Sequence, residues 1–387
     1  MADGARFRPR WRGLLFGNVY YFEGIETPMK TFSCRCGQPL SFDSNRCLRC
    51  GEQVGYDPVT ATFRVPDSVL HRHCANRVEH GVCNWLVAME DTNLLCLSCR
   101  MTRIIPDLSR FGNLNRWAVL EGAKRRLLYG LLQLGLPLDG DDFGVHPPLS
   151  FHFLEDRGSN PMVAEEYVHT GHTSGVITIN VAEADDVQRE MARSLMNEAY
   201  RTPLGHCRHE SGHYYFDRLI GRGSIDASLW RRGFLERFGD PDRDYDGALA
   251  AYYASPPPHT PEAGFISPYA QSHPLEDWAE CWAHYLHILD TLETAMDNGI
   301  VLRSGSFLLP DSGSAWDNEK QGNEGEFDGW IHRWQQLAIL LNELNRSMGL
   351  LDAYPFVLTR TIIEKLRFIH TLVHSATPTP TRNEAAR

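Results

Sequence analysis

The 387-residue sequence predicts an α+β protein in which a small cysteine-rich module precedes a larger, mostly helical domain with a short sheet. Three observations predict this class. Eight of the ten cysteines fall between residues 34 and 99. Apolar and polar residues alternate at 175–181, which is the period of a half-buried strand. Helical periodicity dominates the chain beyond residue 184.

The elements are expected in the following order. Residues 30–105 lack helical periodicity and suit small hairpins, and a helix is expected at 113–134. Strands are expected at 150–155 and 175–181. The helices expected beyond them lie at 184–201, at 206–222, before the prolines at 256–258, and at 274–298, 328–346 and 358–373.

These elements predict five segments. They are an N-terminal extension at 1–29, the cysteine-rich module at 30–105, a helical connector at 106–137, the main domain at 138–376 and a tail at 377–387. Both ends are expected to be disordered because they have nothing to pack against. Met29 is an alternative start of the chain.

The charge balance argues against two classes of function. The chain carries 49 acidic and 38 basic side chains, a net charge of −11, which disfavours a general nucleic-acid or anionic-membrane binder. No apolar run approaches the ~18 residues of a membrane helix. The arginine-rich N-terminus precedes a short apolar stretch, but Asn18 interrupts it and no cleavage site follows. Because the cysteines are clustered, we expect a reducing, cytoplasmic location.

The clustered cysteines have the spacing of zinc knuckles, in which two close pairs of thiolates hold one tetrahedral zinc. The first set is Cys34, Cys36, Cys47 and Cys50, and the second is Cys74, Cys83, Cys96 and Cys99. We therefore expect about two structural Zn²⁺ ions, with glycines after Cys36 and Cys50 allowing tight turns. Exchange of ligands between the sets, or replacement of Cys74 by His71 or His73, stays open.

The module is not basic enough to bind nucleic acid. Residues 30–103 contain nine Lys or Arg and seven Asp or Glu, and eight thiolates with two Zn²⁺ add a further −4. Nucleic acids carry a negatively charged phosphate backbone and bind positively charged surfaces. We expect the module to bind a protein partner or to regulate the neighbouring domain.

An HExxH motif, a pattern typical of catalytic zinc sites, lies at His209-Glu210-Ser211-Gly212-His213. On a helix, positions i and i+4 share a face about 6 Å apart along the axis, so both imidazoles reach one zinc. Glu210 lies at the adjacent edge, where a carboxylate takes a proton from zinc-activated water. A third ligand is needed, because such a motif also arises by chance.

A candidate third ligand begins the helix expected at 274–298. Glu276 and Glu280 share a helix face, and Glu276 follows His213 by 63 residues. We predict that Glu276 coordinates zinc and that Glu280 accepts the free ring N–H of a ligand histidine. The alternative is an acidic first turn that only stabilises the helix dipole.

Four stretches of the chain resemble a bacterial family of zinc-binding metallopeptidases. They are Tyr200–Tyr215, Pro274–Glu280, His284–His287 and Asn345–Leu350, and the likeness extends over nearly all of residues 30–373. In that family a zinc ribbon precedes a gluzincin-like domain, so the resemblance implies a zincin-like fold and a metallopeptidase activity. The spacing Cys34-x-Cys36 departs from the expected two intervening residues.

A weaker likeness is to the catalytic domain of anthrax lethal factor, in which a tyrosine seven residues before the ligand glutamate faces the zinc. The matching residue here is Tyr269. Its hydroxyl would donate a hydrogen bond to the oxyanion formed during hydrolysis. His284, Tyr252 and Tyr253 are alternatives for this role, and packing under Pro268 is an alternative role for Tyr269.

Cys207 and Cys281 remain outside the zinc sets. Cys207 is two positions from His209 and so faces away from the metal. We expect both cysteines to be buried thiols.

Together these patterns predict a zinc-dependent hydrolase that cleaves peptide bonds, with one catalytic and about two structural Zn²⁺ ions. The substrate is expected to be a peptide or protein that pairs with the strand at 175–181. A non-catalytic adaptor that acts through the ribbon, or a hydrolase of a non-peptide amide, stays open. Glu210 argues against the adaptor, because a structural zinc site has no need of this carboxylate.

Overall fold

The computed structural model describes residues 32–67, 69–140, 146–186, 202–221, 227–255, 257, 260–300 and 323–376. The cysteine-rich module contains β1 (Phe32–Ser33), β2 (Pro39–Leu40), β3 (Gly55–Asp57), β4 (Thr62–Arg64), β5 (His71–His73), α1 (Ala75–His80), β6 (Leu86–Ala88) and α2 (Leu97–Arg100). The elements that follow are β7 (Thr102–Ile104), α3 (Asn113–Gln133), β8 (Ser150–Leu154), β9 (Gly171–Thr173), β10 (Val176–Asn180), α4 (Pro203–Leu219), α5 (Ala227–Phe238), α6 (Tyr245–Ala254), α7 (Pro274–Asp297), α8 (Asn323–Ser347) and α9 (Arg360–Ala376). The expected α+β class, with a cysteine-rich module before a mostly helical domain, is confirmed.

Three antiparallel strand pairs build the module. They are β1 with β2, β3 with β4, and β5 with β6. The module has an aromatic core that includes Phe32 of β1, Tyr56 of β3 and Phe42 just beyond β2, all buried. Tyr129 of α3 joins this core, with its ring centroid 5.1 Å from that of Phe42. The module therefore shares its core with the next part of the chain.

A four-stranded sheet follows in the order β7-β8-β10-β9. β10 pairs in parallel with β8 and antiparallel with β9, with Ile177 opposite both Phe151 and His172. The expected strands at 150–155 and 175–181 are thus found within a residue of their ends. Pairing of a substrate with β10 is wrong, because both of its edges are already hydrogen-bonded to neighbouring strands. Among the described strands, β9 is the edge strand on this side.

The helices begin where capping residues place them. α4 begins three residues before its expected start because the hydroxyl of Thr202 accepts a hydrogen bond from Gly205 N–H at 2.9 Å and Pro203 occupies the first turn. α7 matches its expected bounds to within one residue. Ala227–Phe238 forms a separate helix that the sequence pattern does not predict. The helix expected at 184–201 falls largely outside the described residues, as do the two terminal segments.

α3 joins the module to the rest of the molecule. Its Arg125 Nη1 donates to the carbonyl of Val82 in the module at 2.6 Å, and its Arg126 Nε donates to Asp290 of α7 at 2.9 Å. β7 begins three residues after Cys99 and forms the other edge of the described sheet. A chain that began near residue 138 would lack both β7 and α3, so tests of activity require the full chain.

No helix in the described part of the chain is both long enough and apolar enough to cross a bilayer.

Candidate metal centre

The eight clustered cysteines form two separate groups. Within each group, the four Sγ atoms lie within 4.8 Å of one another. One group is Cys34, Cys36, Cys47 and Cys50, and the other is Cys74, Cys83, Cys96 and Cys99. The two sets are not mixed, and the second contains Cys74 rather than His71 or His73. Nε2 of His71 lies 3.4 Å from the carboxylate of Asp57 instead.

The spacing of the sulfur atoms fits zinc. Sγ of Cys34 lies 3.7 Å from that of Cys50, and Sγ of Cys36 lies 3.6 Å from that of Cys47. A tetrahedral zinc with Zn–S bonds of about 2.3 Å requires sulfurs about 3.8 Å apart, whereas a disulfide requires about 2.05 Å. Gly37 has φ of 81°, a left-handed conformation that glycine adopts without strain, so the chain turns tightly after Cys36.

The HExxH segment lies where α4 crosses α7 at close range. A Cβ atom on Gly212 would lie 2.9 Å from Cα of Ala279, so glycine is required at the crossing. Nε1 of Trp278 donates to the carbonyl of Gly212 at 2.8 Å, and Nε1 of Trp282 donates to the hydroxyl of Ser211 at 3.1 Å. These contacts fix the HExxH segment against the first turns of α7.

The crossing brings His209, His213 and Glu276 together, with one potential ligand atom of each within 4.8 Å of the others. Nε2 of His209 lies 3.0 Å from Oε2 of Glu276, and Nε2 of His213 lies 3.4 Å from Oε1. Nitrogen and oxygen ligands about 2.0–2.2 Å from a tetrahedral zinc lie about 3.3–3.6 Å apart. The spacing is therefore close to that required by a zinc ion.

The charges in this cluster favour a cation. Burial by itself raises the pKa of Glu276, but the charge of His213 and the hydrogen bond with His209 outweigh burial and hold this pKa well below its usual value. Burial lowers the pKa of His209, whereas the hydrogen bonds to Glu276 and Glu280 raise it well above its usual value overall. The carboxylates thus stabilise positive charge at the place where a metal ion would bind.

Two further side chains hold the cluster. Oε1 of Glu280 lies 2.8 Å from Nδ1 of His209, the ring nitrogen that does not face Glu276. The hydroxyl of Tyr245 donates to Oε1 of Glu276 at 2.5 Å. Burial and the charge of Glu276 raise the pKa of Tyr245, so its phenol stays a donor. Tyr245 is not predictable from the sequence pattern, because no periodicity links it to a residue 31 positions away on another helix.

Glu210 lies at the wall of a cavity of about 1070 Å³ that His209 also lines. Its side chain is buried, and burial raises its pKa against the opposing charges of His209 and His213. A raised pKa makes a carboxylate a better proton acceptor near neutral pH.

Tyr269 lines the same cavity, in a 3₁₀ turn just before α7. The centroid of its ring lies 6.0 Å from that of His209. Burial raises the pKa of Tyr269, which keeps its hydroxyl protonated. Tyr252 and Tyr253 also line the cavity, and the ring of Tyr252 packs against Tyr269. His284 also lines the cavity, and its Nδ1 lies 2.8 Å from the hydroxyl of Tyr354.

The two remaining cysteines are buried, as expected. Cys207 and Cys281 are fully inaccessible to solvent. Burial raises the pKa of Cys207 to about 12, so this thiol stays protonated.

Comparison with known families identifies the same two parts. A family model described as "Putative zinc-binding metallo-peptidase" matches residues 113–372. A second model, described as a zinc-ribbon domain, matches residues 31–110.

Comparison with individual proteins gives relatives without an assigned activity. The chain is similar to uncharacterized proteins of Mycobacterium bovis and of two Mycobacterium tuberculosis strains. Each is 43% identical over 352 residues, which cover 90% of this chain and 97% of the relative. No solved structure matches the chain.

Proposed function

The chain belongs to this family of zinc-binding metallo-peptidases, and on that basis we propose that it is a zinc-dependent hydrolase that cleaves peptide bonds in a peptide or protein substrate. The observation that carries the proposal is the grouping of His209, His213 and Glu276 next to Glu210 at the cavity wall. We place the protein in the cytoplasm because its cysteines are grouped for metal binding rather than dispersed for disulfides.

His209, His213 and Glu276 would hold a catalytic zinc, which is the ligand set of a gluzincin, and each cysteine group would hold one structural zinc. Three zinc ions per chain are therefore expected. Four cysteine ligands close a structural site, whereas three protein ligands leave one position open. When bound there, zinc supplies Lewis acidity and lowers the pKa of water toward about 7.

Glu210 is the general base in this proposal. Its carboxylate accepts a proton from the attacking water while the water oxygen bonds to the carbonyl carbon of the substrate. The hydroxyl of Tyr269 donates a hydrogen bond to the carbonyl oxygen as negative charge grows there. When the C–N bond breaks, the proton held by Glu210 passes to the leaving nitrogen. Glu280 keeps the ring of His209 oriented through Nδ1.

The cavity has room for a peptide segment. Its volume of about 1070 Å³ lies at the upper end of the range of about 300–1,000 Å³ found for ligand pockets.

Zinc analysis and a peptide-library digest of the full chain test this proposal. Glu210→Gln keeps the size of the side chain, but the amide cannot take a proton. The rate of hydrolysis should therefore fall by about 10²–10⁴-fold, while the chain still binds three zinc ions. Glu236→Gln is the matched control, because Glu236 is an exposed carboxylate on α5 outside the cavity lining. It should cleave like the wild type.

Two results would contradict the proposal in different ways. If the full chain binds three zinc ions and cleaves neither peptides nor other amides, the adaptor takes its place. If Glu210→Gln cleaves as fast as the wild type, the assignment of the base is wrong although the chain is a hydrolase.

A further inference from the structure

The hydroxyl of Tyr245 donates a hydrogen bond to Glu276 and has no role in the proposed reaction. We propose that Tyr245 is a positioning residue that orients the carboxylate of Glu276 and so sets the affinity of the His209, His213 and Glu276 site for its metal ion. This inference rests on the proposed function, because it takes these three residues as the metal ligands.

The hydrogen bonds of Glu276 are divided between its two oxygens. Oε2 faces Nε2 of His209 at 3.0 Å. Oε1 accepts from Tyr245 at 2.5 Å and lies 3.4 Å from Nε2 of His213. The phenol therefore prevents rotation of the carboxylate and fixes which oxygen each histidine meets. Carboxylates that bind a metal commonly accept hydrogen bonds from residues that do not bind it, and losing such a bond weakens metal binding.

Glu276 is poorly placed to find another partner. It is only 1% exposed, so water cannot readily replace a lost donor on Oε1. A buried acceptor that loses its donor carries a desolvation penalty, and the penalty is greater for a charged group. Removing the hydroxyl of Tyr245 should therefore leave Oε1 of Glu276 without a donor and the carboxylate less firmly oriented.

The position of Tyr245 is set by local contacts rather than by a core. α6, which it begins, has no buried residue. Asp244 caps the helix by accepting from Gly247 N–H at 3.2 Å. The ring of Tyr245 packs edge-on against His273, with the centroids 5.0 Å apart. Phenylalanine can keep this ring contact, so Tyr245→Phe removes the hydroxyl and little else.

The test compares Tyr245→Phe with Tyr269→Phe in the full chain, by competition for Zn²⁺ with a chelator and by the visible spectrum of the Co²⁺-substituted site. A His213→Ala variant supplies the baseline of the two cysteine sites. Tyr245→Phe should bind the third metal ion about 10–100-fold more weakly and shift the Co²⁺ spectrum. Among the described residues no hydrogen bond joins Tyr269 to Glu276, whose partners are His209 and Tyr245. The Tyr269→Phe variant should therefore bind metal like the wild type although it loses turnover.

The outcomes separate this inference from the proposed function. Wild-type metal affinity in Tyr245→Phe, or an equal loss in Tyr269→Phe, would overturn the positioning role and leave the hydrolase untouched. A wild-type chain that binds only two metal ions would overturn both. If Tyr245→Phe melts below the wild type, its metal affinity is measured at a temperature where the variant and the wild type are equally folded, and a loss of affinity there still supports the positioning role.

Discussion

The close crossing of α4 and α7 gives the sharpest prediction. Gly212→Ala adds one methyl group inside the HExxH segment. That methyl carbon would lie 2.9 Å from Cα of Ala279 and 3.1 Å from Cβ of Trp282. Carbon atoms in normal contact are about 3.5–4.0 Å apart, so the two helices must separate by roughly 0.5–1 Å.

Two free energies oppose each other in this variant. Overpacking of this kind costs about 1–3 kcal/mol, while replacing glycine inside a helix gains up to about 1 kcal/mol in helix propensity. Gly130→Ala in α3 measures the gain in helix propensity alone, because a Cβ at that helical glycine meets no atom within 4 Å. Gly212→Ala should therefore have a free energy of unfolding about 1–3 kcal/mol lower than Gly130→Ala.

The same displacement should disturb the metal centre. α4 carries His209 and His213, and α7 carries Glu276. Metal–ligand distances vary by only about 0.2 Å. A shift of roughly 0.5–1 Å between the two helices should therefore lower zinc affinity by about 10–100-fold, as much as the loss of a hydrogen bond that holds a ligand side chain. Denaturant unfolding and chelator competition measure the two effects. Equal stability of the two alanine variants, with zinc affinity unchanged in Gly212→Ala, would refute this reasoning.

Three further variants test the remaining assignments. Glu276→Ala should abolish the third zinc ion, whereas Glu280→Ala should weaken it about 10–100-fold, and metal titration showing the reverse order would mean that the wrong glutamate has been assigned as ligand. Cys96→Ser combined with Cys99→Ser should lose one structural zinc and raise hydrogen exchange throughout the module and into β7, because so small a module depends on its metal for folding. Retained protection in β7 would show that the sheet edge is independent of the ribbon.

Much of the fold could be predicted because its signals are local. Pro274 and the acidic first turn of α7 locate the start of that helix, and the alternation around Ile177 identifies β10. The neighbours of β10 could not be predicted in the same way. β8 pairs with one edge of β10, and the other edge pairs with β9, a three-residue strand too short to leave a periodic pattern.

The candidate site shows the same division. The sequence by itself determined that His209 and His213 share one helix face and that Glu276 and Glu280 share another, because the period of 3.6 residues fixes the relation of side chains within one helix. Only the tertiary structure decided how the two faces meet and that Tyr245 reaches Glu276. Those contacts depend on the angle and distance at which separate elements pack, which are set by side chains far apart in the chain and which no spacing along the sequence records.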